Sequence, residues 1–365
     1  MTSQRPVRVL SIDGGGVRGY SSLLIIEHIM EKIQAKYGLS DVPRPCDHFD
    51  LIGGTGTGGI IAIMLGRLGM SVDDCAKTYR EVIAKHAFVP DRVPNSTLDS
   101  FREPAFSAKR LENAMKTAIR RSCSDRECRS RQNRDDQCPH SDKLFRDGSC
   151  TKTVVLAMTK DNIDARPTLF GTYDRTTAYK SCTIWQVARA TTAAVDFFES
   201  IKLGRDEIEF IDASYGHNNP CKALIKEARK LFPGRKIQAL SVGAGLGDVV
   251  SLNVEKSSEA IIKALREIAA SSQSVARELA DEYTDTDQYF RFNVDQGLRD
   301  ITLADWDKGS RISAHTHNYL NENQRQIERC VATLCEGRKY DNSEKSRVPE
   351  DPPPPYPGRQ SFRNY

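Results

Sequence analysis

The sequence predicts an α/β fold with a largely parallel central sheet. Short apolar runs alternate with segments of helical periodicity, and several of the runs end in glycine-rich turns. This alternation is typical of sheets whose strands are joined by helices. Hydrophobic residues make up 39% of the 365 residues, which is enough to bury a core and excludes a wholly disordered chain.

The first two predicted strands each lead into a glycine cluster and then a helix. A strand over 7–12 precedes a helix over 21–36, and a strand over 49–52 precedes a buried helix over 60–68. Further strands are expected at 153–158, 208–211 and 237–242, and further helices at 220–232, 257–278 and 317–334.

Two segments depart from this pattern. Residues 119–150 are polar and arginine-rich, which predicts a surface insertion, and residues 341–365 are proline-rich, which predicts a disordered tail. We therefore expect one domain over 1–340 followed by the tail. Pro353–Tyr356 matches the P-P-x-Y pattern of ligands for WW-type aromatic grooves.

Composition also limits location and partners. No apolar run approaches the ~18–20 residues of a membrane span, so at most peripheral membrane contact is expected. The net charge of +4 is too small to indicate a nucleic-acid partner. The amino terminus lacks the apolar segment of a secretory signal, which favours a cytoplasmic protein with reduced thiols.

The glycine clusters, Asp13–Gly19 and Gly53–Gly59, allow two interpretations. Both match the G-x-G-x-x-G fingerprint of dinucleotide-binding folds, which requires an acidic residue about 20 positions later at a strand end. Asp73 and Asp74 have the right distance from the second cluster, but they stand at a predicted helix start. A dinucleotide site is therefore the weaker alternative.

The stronger interpretation is a nucleophile elbow, G-x-S-x-G, between a strand and a helix. The residues that align with it are Gly54, Thr55, Gly56, Thr57 and Gly58, so that glycine stands at the nucleophile position.

The first cluster would supply an oxyanion hole. Backbone amides of Gly14, Gly15 and Gly16 can approach a substrate oxygen because no Cβ is in the way, and Arg18 adds positive charge.

Together these motifs resemble the patatin-like phospholipase family, and the segments 184–191, 216–220 and 241–245 are similar to its form in fungal multidomain proteins. The family's D-G-G-G-x-[RK]-G loop matches Asp13–Gly19, its elbow aligns with Gly54–Gly58, and its catalytic Asp in D-G-[AG] aligns with Asp212. The resemblance implies a three-layer α/β/α sandwich and hydrolysis of phospholipids or lysophospholipids by a Ser–Asp dyad, with no metal ion or cofactor. Asp212 would accept the proton of the nucleophile.

Glycine at position 56 departs from the family pattern and predicts a catalytically inactive chain. It fits either an engineered inactive form or a natural pseudoenzyme that binds lipid or protein. Thr55 and Thr57 are not expected to replace the nucleophile, because side chains beside a sharp elbow point elsewhere. Ser214 is interpreted as a loop residue.

The insertion contains five residues of metal-ligating type, namely Cys123, Cys128, Cys138, His140 and Cys150. Thiolates and imidazoles bind zinc, but the spacing lacks paired C-x2-C knuckles. Free thiols are therefore the favoured interpretation, and structural zinc is the alternative.

Overall fold

A computed structural model describes the chain in eight segments: residues 5–89, 105–130, 138–174, 178–194, 197–245, 271–298, 300–302 and 304–337. They contain an eight-stranded sheet. Its strands are β1 (Val7–Ile12), β2 (Leu51–Thr55), β3 (Lys152–Thr159), β4 (Thr168–Gly171), β5 (Ile201–Leu203), β6 (Ile208–Asp212), β7 (Ile237–Val242) and β8 (Tyr289–Phe292).

The helices of the described segments lie mostly between these strands. They are α1 (Gly19–Tyr37), α2 (Pro45–His48), α3 (Thr57–Ala62), α4 (Val72–Thr78), α5 (Lys85–Ala87), α6 (Ala108–Arg121), α7 (Arg126–Ser130), α8 (Ile184–Thr192), α9 (Ser214–His217), α10 (Cys221–Leu231), α11 (Gln273–Glu282), α12 (Gly309–Glu322) and α13 (Gln324–Leu334). Two π-helical turns, Ile63–Arg67 and Tyr79–Ala84, extend α3 and α4. Short 3-10 turns cover Gly16–Arg18, His140–Asp142 and Trp306–Lys308.

The sheet confirms the predicted fold class. Its strand order is β5-β6-β3-β2-β1-β7-β8. The neighbouring pairs β3–β2, β2–β1, β1–β7 and β7–β8 are parallel. β4 and β6 both pair antiparallel with β3, and β5 pairs antiparallel with β6. The parallel centre places the carboxyl ends of β1 and β2 side by side, where sites of open α/β sheets form.

Helices cover both faces of the sheet, which confirms the three layers. Alternate residues of β1 point to opposite faces: Leu10 and Ile12 join the core beneath α1, and Val7 and Val9 join a second core beneath α10. Every residue of β1 is buried, and apolar side chains on both sides are what two covered faces require of a strand.

Some predicted boundaries were wrong. β2 begins at Leu51 rather than 49 and includes two glycines that were placed in the turn, Gly53 and Gly54. Gly53 pairs with Ser11 of β1 and Val154 of β3. Glycine suits this strand position because a Cβ there would lie 2.5 Å from the Leu224 side chain of α10. The helix predicted over 317–334 is two helices, separated at Asn323.

Other predictions fall partly or wholly outside the described residues. This is true of the tail over 341–365 with Pro353–Tyr356, and of residues 257–270 of the helix predicted over 257–278.

The strands β4, β5 and β8 were not predicted, because three or four residues give too short an alternation to recognise. Among the described residues, no helix combines the length and apolar composition needed to span a bilayer.

Candidate functional site

A sharp turn joins β2 to α3 at Gly56. Its backbone has φ 57° and ψ −131°, a conformation that L side chains rarely adopt. The turn is closed by a hydrogen bond from the Gly59 amide to the Gly56 carbonyl (2.9 Å), and the Gly56 amide donates to Thr191 Oγ1 on α8 (3.0 Å). The strand–turn–helix geometry of a nucleophile elbow is therefore present at this position.

Two flanking glycines let the elbow pack against backbone. A Cβ on Gly58 would lie 2.4 Å from the carbonyl oxygens of both Ile12 and Asp13, at the end of β1. A Cβ on Gly54 would lie 2.2 Å from the carbonyl oxygen of Gly58. Neither contact leaves room for a side chain, so Gly58 lets the elbow lie against the end of β1 and Gly54 lets the turn close on itself.

Asp212 ends β6 and faces the elbow. In the sheet Thr55 pairs with Leu156 and Asp212 pairs with Ala157, so position 56 and Asp212 lie level on opposite sides of β3. A Cβ on Gly56 would lie 3.1 Å from Oδ2 and 3.5 Å from Oδ1 of Asp212. The side-chain space at position 56 therefore opens directly onto the carboxylate.

The Asp212 carboxyl is buried, with 6% of the residue exposed. Its Oδ1 accepts hydrogen bonds from both the backbone amide and the hydroxyl of Ser214, each 2.8 Å long. Burial raises the pKa of Asp212 to about 7, and the two hydrogen bonds from Ser214 oppose this rise without cancelling it. A carboxyl with that pKa can exchange a proton near neutral pH.

The glycine loop after β1 contacts the elbow. The Gly15 amide donates to Thr57 Oγ1 (3.2 Å), whereas the Gly14 amide donates to the backbone oxygen of Asn218 (3.2 Å). Gly14 was expected to share an oxyanion hole, but its amide already has a backbone acceptor. Gly16 has φ 57°, which again favours glycine.

A buried ion pair, which sequence reasoning missed, anchors this loop. Arg291 on β8 donates from Nη1 to Oδ1 of Asp13 (2.9 Å) and from Nη2 to Oδ2 (2.5 Å). Asp13 is only 1% exposed. In the sequence, the feature that indicates this pair is an arginine within the apolar run Tyr289–Phe292. No local pattern shows which acidic residue the arginine contacts.

Two further residues predicted for the site, Thr55 and Arg18, lie beside the elbow and the glycine loop. Thr55 Oγ1 donates to the His217 carbonyl (2.9 Å), so its hydroxyl already has an acceptor. Arg18 ends the 3-10 turn before α1 and is half-buried.

The structure does not favour the alternative of a dinucleotide site, because the two acidic residues that it would use lie in a helix. Asp73 and Asp74 lie in the first turn of α4, which Ser71 caps by accepting from the Asp74 amide (3.1 Å). They are therefore not at the strand end that ribose binding requires.

Comparisons with known proteins identify the family of the chain. A family model described as patatin-like phospholipase matches residues 10–225. Human calcium-independent phospholipase A2-gamma is 27% identical over 341 residues, which cover 91% of this chain and 40% of that protein. Probable inactive patatin-like protein 9 of Arabidopsis thaliana is 26% identical over 61% of this chain and 54% of its own length.

Among solved structures, human GIVD cytosolic phospholipase A2 aligns with 90% of this chain and 60% of its own, with 12% identity and a TM-score of 0.41. The chain thus spans less than half the length of the human relative that it matches. Because the family model covers more than half of the chain, with the elbow and Asp212 inside the matched region, the chain belongs to the patatin-like phospholipase family.

Proposed function

We propose that this domain is a lipid acyl hydrolase in architecture, and that glycine at position 56 leaves it able to bind acyl esters without cleaving them. The observation that supports this most directly is the 3.1 Å separation between Asp212 Oδ2 and the Cβ position of residue 56. Hydrolysis would require a hydroxyl at that position, held within reach of a base.

The reaction of the serine form follows from these positions. A serine hydroxyl at position 56 attacks the ester carbonyl while Asp212 accepts its proton, and an acyl-enzyme forms as the alcohol leaves with that proton. Asp212 then removes a proton from water, which attacks the acyl group and regenerates the serine. The Gly16 amide would stabilise the oxyanion, joined by the Gly15 amide once the Thr57 hydroxyl rotates away from it, with Arg18 adding positive charge.

The glycine form lacks this first step. Removing the nucleophile of a serine protease lowers turnover by about 10⁶-fold. Among the described residues other than the chain neighbours Thr55 and Thr57, Ser214 carries the hydroxyl nearest to the Cβ position of residue 56. Ser214 Oγ lies 3.2 Å from the Cβ position of residue 56, but it donates to Asp212 from within a turn that also uses its backbone amide. We therefore assign it to holding the carboxylate.

The proposed substrates are phospholipids or lysophospholipids, met by a cytoplasmic protein that contacts membranes peripherally. Support comes from the family and from the name of the human relative, a phospholipase A2. No cofactor enters the proposed chemistry.

The test compares wild type, Gly56→Ser and Gly56→Ser/Asp212→Asn. Each is assayed on lysophospholipid, on phospholipid in mixed micelles and on a short-chain ester. Activity should appear in Gly56→Ser and fall by about 10²–10⁴-fold when Asp212 is also changed, because the base is then lost.

A second proposal is that the chain is a natural pseudoenzyme that binds lipid or protein, which glycine at position 56 also fits. It predicts that folded Gly56→Ser remains silent on every ester while wild type still sediments with phospholipid vesicles or captures a protein partner. That silence would contradict the hydrolase proposal.

A further inference from the structure

Four residues of the insertion converge on one point. The sulfur atoms of Cys123, Cys128 and Cys138 lie 3.3, 3.4 and 3.5 Å from Nδ1 of His140. All four atoms lie within 4.8 Å of one another. Cys150, which the sequence grouped with them, lies apart, and its thiol donates to the Asp147 carbonyl (3.4 Å).

Hydrogen bonding does not account for this arrangement. An imidazole nitrogen has one hydrogen or one lone pair in its ring plane, so it can satisfy one of the three sulfurs and not all of them. A tetrahedral zinc ion has bonds of about 2.3 Å to sulfur and about 2.0–2.1 Å to nitrogen, which place sulfur and nitrogen ligands about 3.6 Å apart. The observed separations from His140 are close to that value.

The surroundings of the sulfurs favour an ion over packing. Cys123, Cys128 and Cys138 are buried to between 4% and 5% exposure, yet they form a small cluster apart from the two large cores of the described residues. None of the three forms a disulfide in the structure. Three thiolates and one imidazole are a typical donor set for structural zinc.

We propose that these four residues form a structural zinc site with the spacing C-x4-C-x9-C-x-H. Each thiol binds as a thiolate and releases its proton to solvent, while His140 binds through Nδ1 as a neutral imidazole. Four protein ligands complete the tetrahedron, so the site has a structural rather than a catalytic role.

The site would fasten the insertion to the body of the domain. Cys123 follows the end of α6, and His140 opens a 3-10 turn whose Asp142 accepts from Trp185 Nε1 on α8 (2.8 Å). Asp142 also pairs with Lys116 of α6 (3.3 Å). The ion would therefore close the chain between residues 123 and 140 beside two core helices.

The test is the metal content of the full chain, purified under reducing conditions from zinc-supplemented cells and passed over a desalting column. Inductively coupled plasma mass spectrometry should find about one zinc per chain in wild type and in Cys150→Ser, and little in Cys128→Ser. Cys150→Ser is the matched control because it removes a thiol of the same insertion outside the cluster. Circular dichroism reports whether Cys128→Ser is folded.

A second measurement uses the wild-type protein alone, so it tests the proposal even where Cys128→Ser does not fold. After zinc is exchanged for Co²⁺, thiolate-to-cobalt charge-transfer bands and the intense visible bands of tetrahedral cobalt should appear. Wild type without zinc and without these bands would overturn the proposal. So would a disulfide between two of the three cysteines, or loss of zinc in Cys150→Ser.

Discussion

Asp212 faces Gly56 across the end of β3, with Oδ2 of the carboxylate 3.1 Å from where a Cβ of residue 56 would stand. The carboxylate and the backbone of the elbow are thus arranged around a side chain that the sequence does not contain. Because a Cβ contact of 3.1 Å is tight, a serine there would displace the Asp212 and Ser214 side chains by a few tenths of an ångström.

Gly56→Ser should lower the free energy of unfolding by about 1–3 kcal/mol, because φ 57° with ψ −131° strains a residue that has a Cβ. Urea denaturation measures the change. Gly38→Ser is the matched control, since Gly38 has φ 63° and ψ 37° and nothing within 4 Å of its Cβ position. If Gly56→Ser cost no more than Gly38→Ser, the elbow would not be strained beyond an ordinary left-handed residue.

The burial of Asp212 predicts a pH-dependent stability. Its pKa is raised from 3.8 to about 7, so the folded state keeps a proton that the unfolded chain releases from about pH 4 upward. Stability from this group is therefore full below pH 4 and declines as pH rises to 7, by up to about 1.4 kcal/mol per pH unit. Asp212→Asn has no such proton, and its stability relative to wild type should increase from pH 5 to pH 8.

Urea denaturation at intervals of half a pH unit measures both proteins. Other carboxyls titrate in both, so only the difference between the two curves reports on Asp212. Parallel curves would show that its carboxyl is not perturbed.

Activity gained by Gly56→Ser should depend on the ionised form of Asp212. Its kcat/KM is expected to rise with pH and reach half of its maximum near pH 7. Ser214→Ala in the same background removes a hydrogen bond that lowers the pKa of Asp212, so the midpoint should move to higher pH. A midpoint unchanged by Ser214→Ala would argue against Asp212 as the titrating base.

The buried pair between Asp13 and Arg291 should matter more than an exposed one. Arg291→Met leaves a carboxylate buried without its cation, which should cost about 3–5 kcal/mol. Arg311→Met breaks an exposed pair with Asp300 and should cost at most about 1 kcal/mol. Thermal unfolding of the two variants provides the comparison, and equal shifts in Tm would contradict an anchoring role for Arg291.

Gly58→Ala should separate the elbow from the end of β1. Its Cβ would lie 2.4 Å from two backbone oxygens that cannot rotate away, at a cost of about 1–3 kcal/mol. In the Gly56→Ser background it should also reduce the gained activity, because the oxyanion loop follows β1. Gly148→Ala, with nothing within 4 Å of its Cβ position, is the control and should leave stability within about 0.5 kcal/mol.

The local part of the site was predictable from the sequence. The strand over Val7–Ile12, the strand over Ile237–Val242 and the turn at Gly56 all have the predicted positions. Each depends on a run of neighbouring residues, since apolar strands and tight glycine turns are specified by their own backbone and side-chain preferences.

The contacts between distant segments depended on the tertiary structure. Antiparallel pairing of β6 with β3 brings Asp212 to the elbow, and Arg291 reaches Asp13 from 278 residues away. Only the folded chain separates Cys150 from the cluster at His140 and gives the Gly14 amide a backbone acceptor. Such contacts are decided by how whole elements pack together, so no local spacing in the sequence determines them.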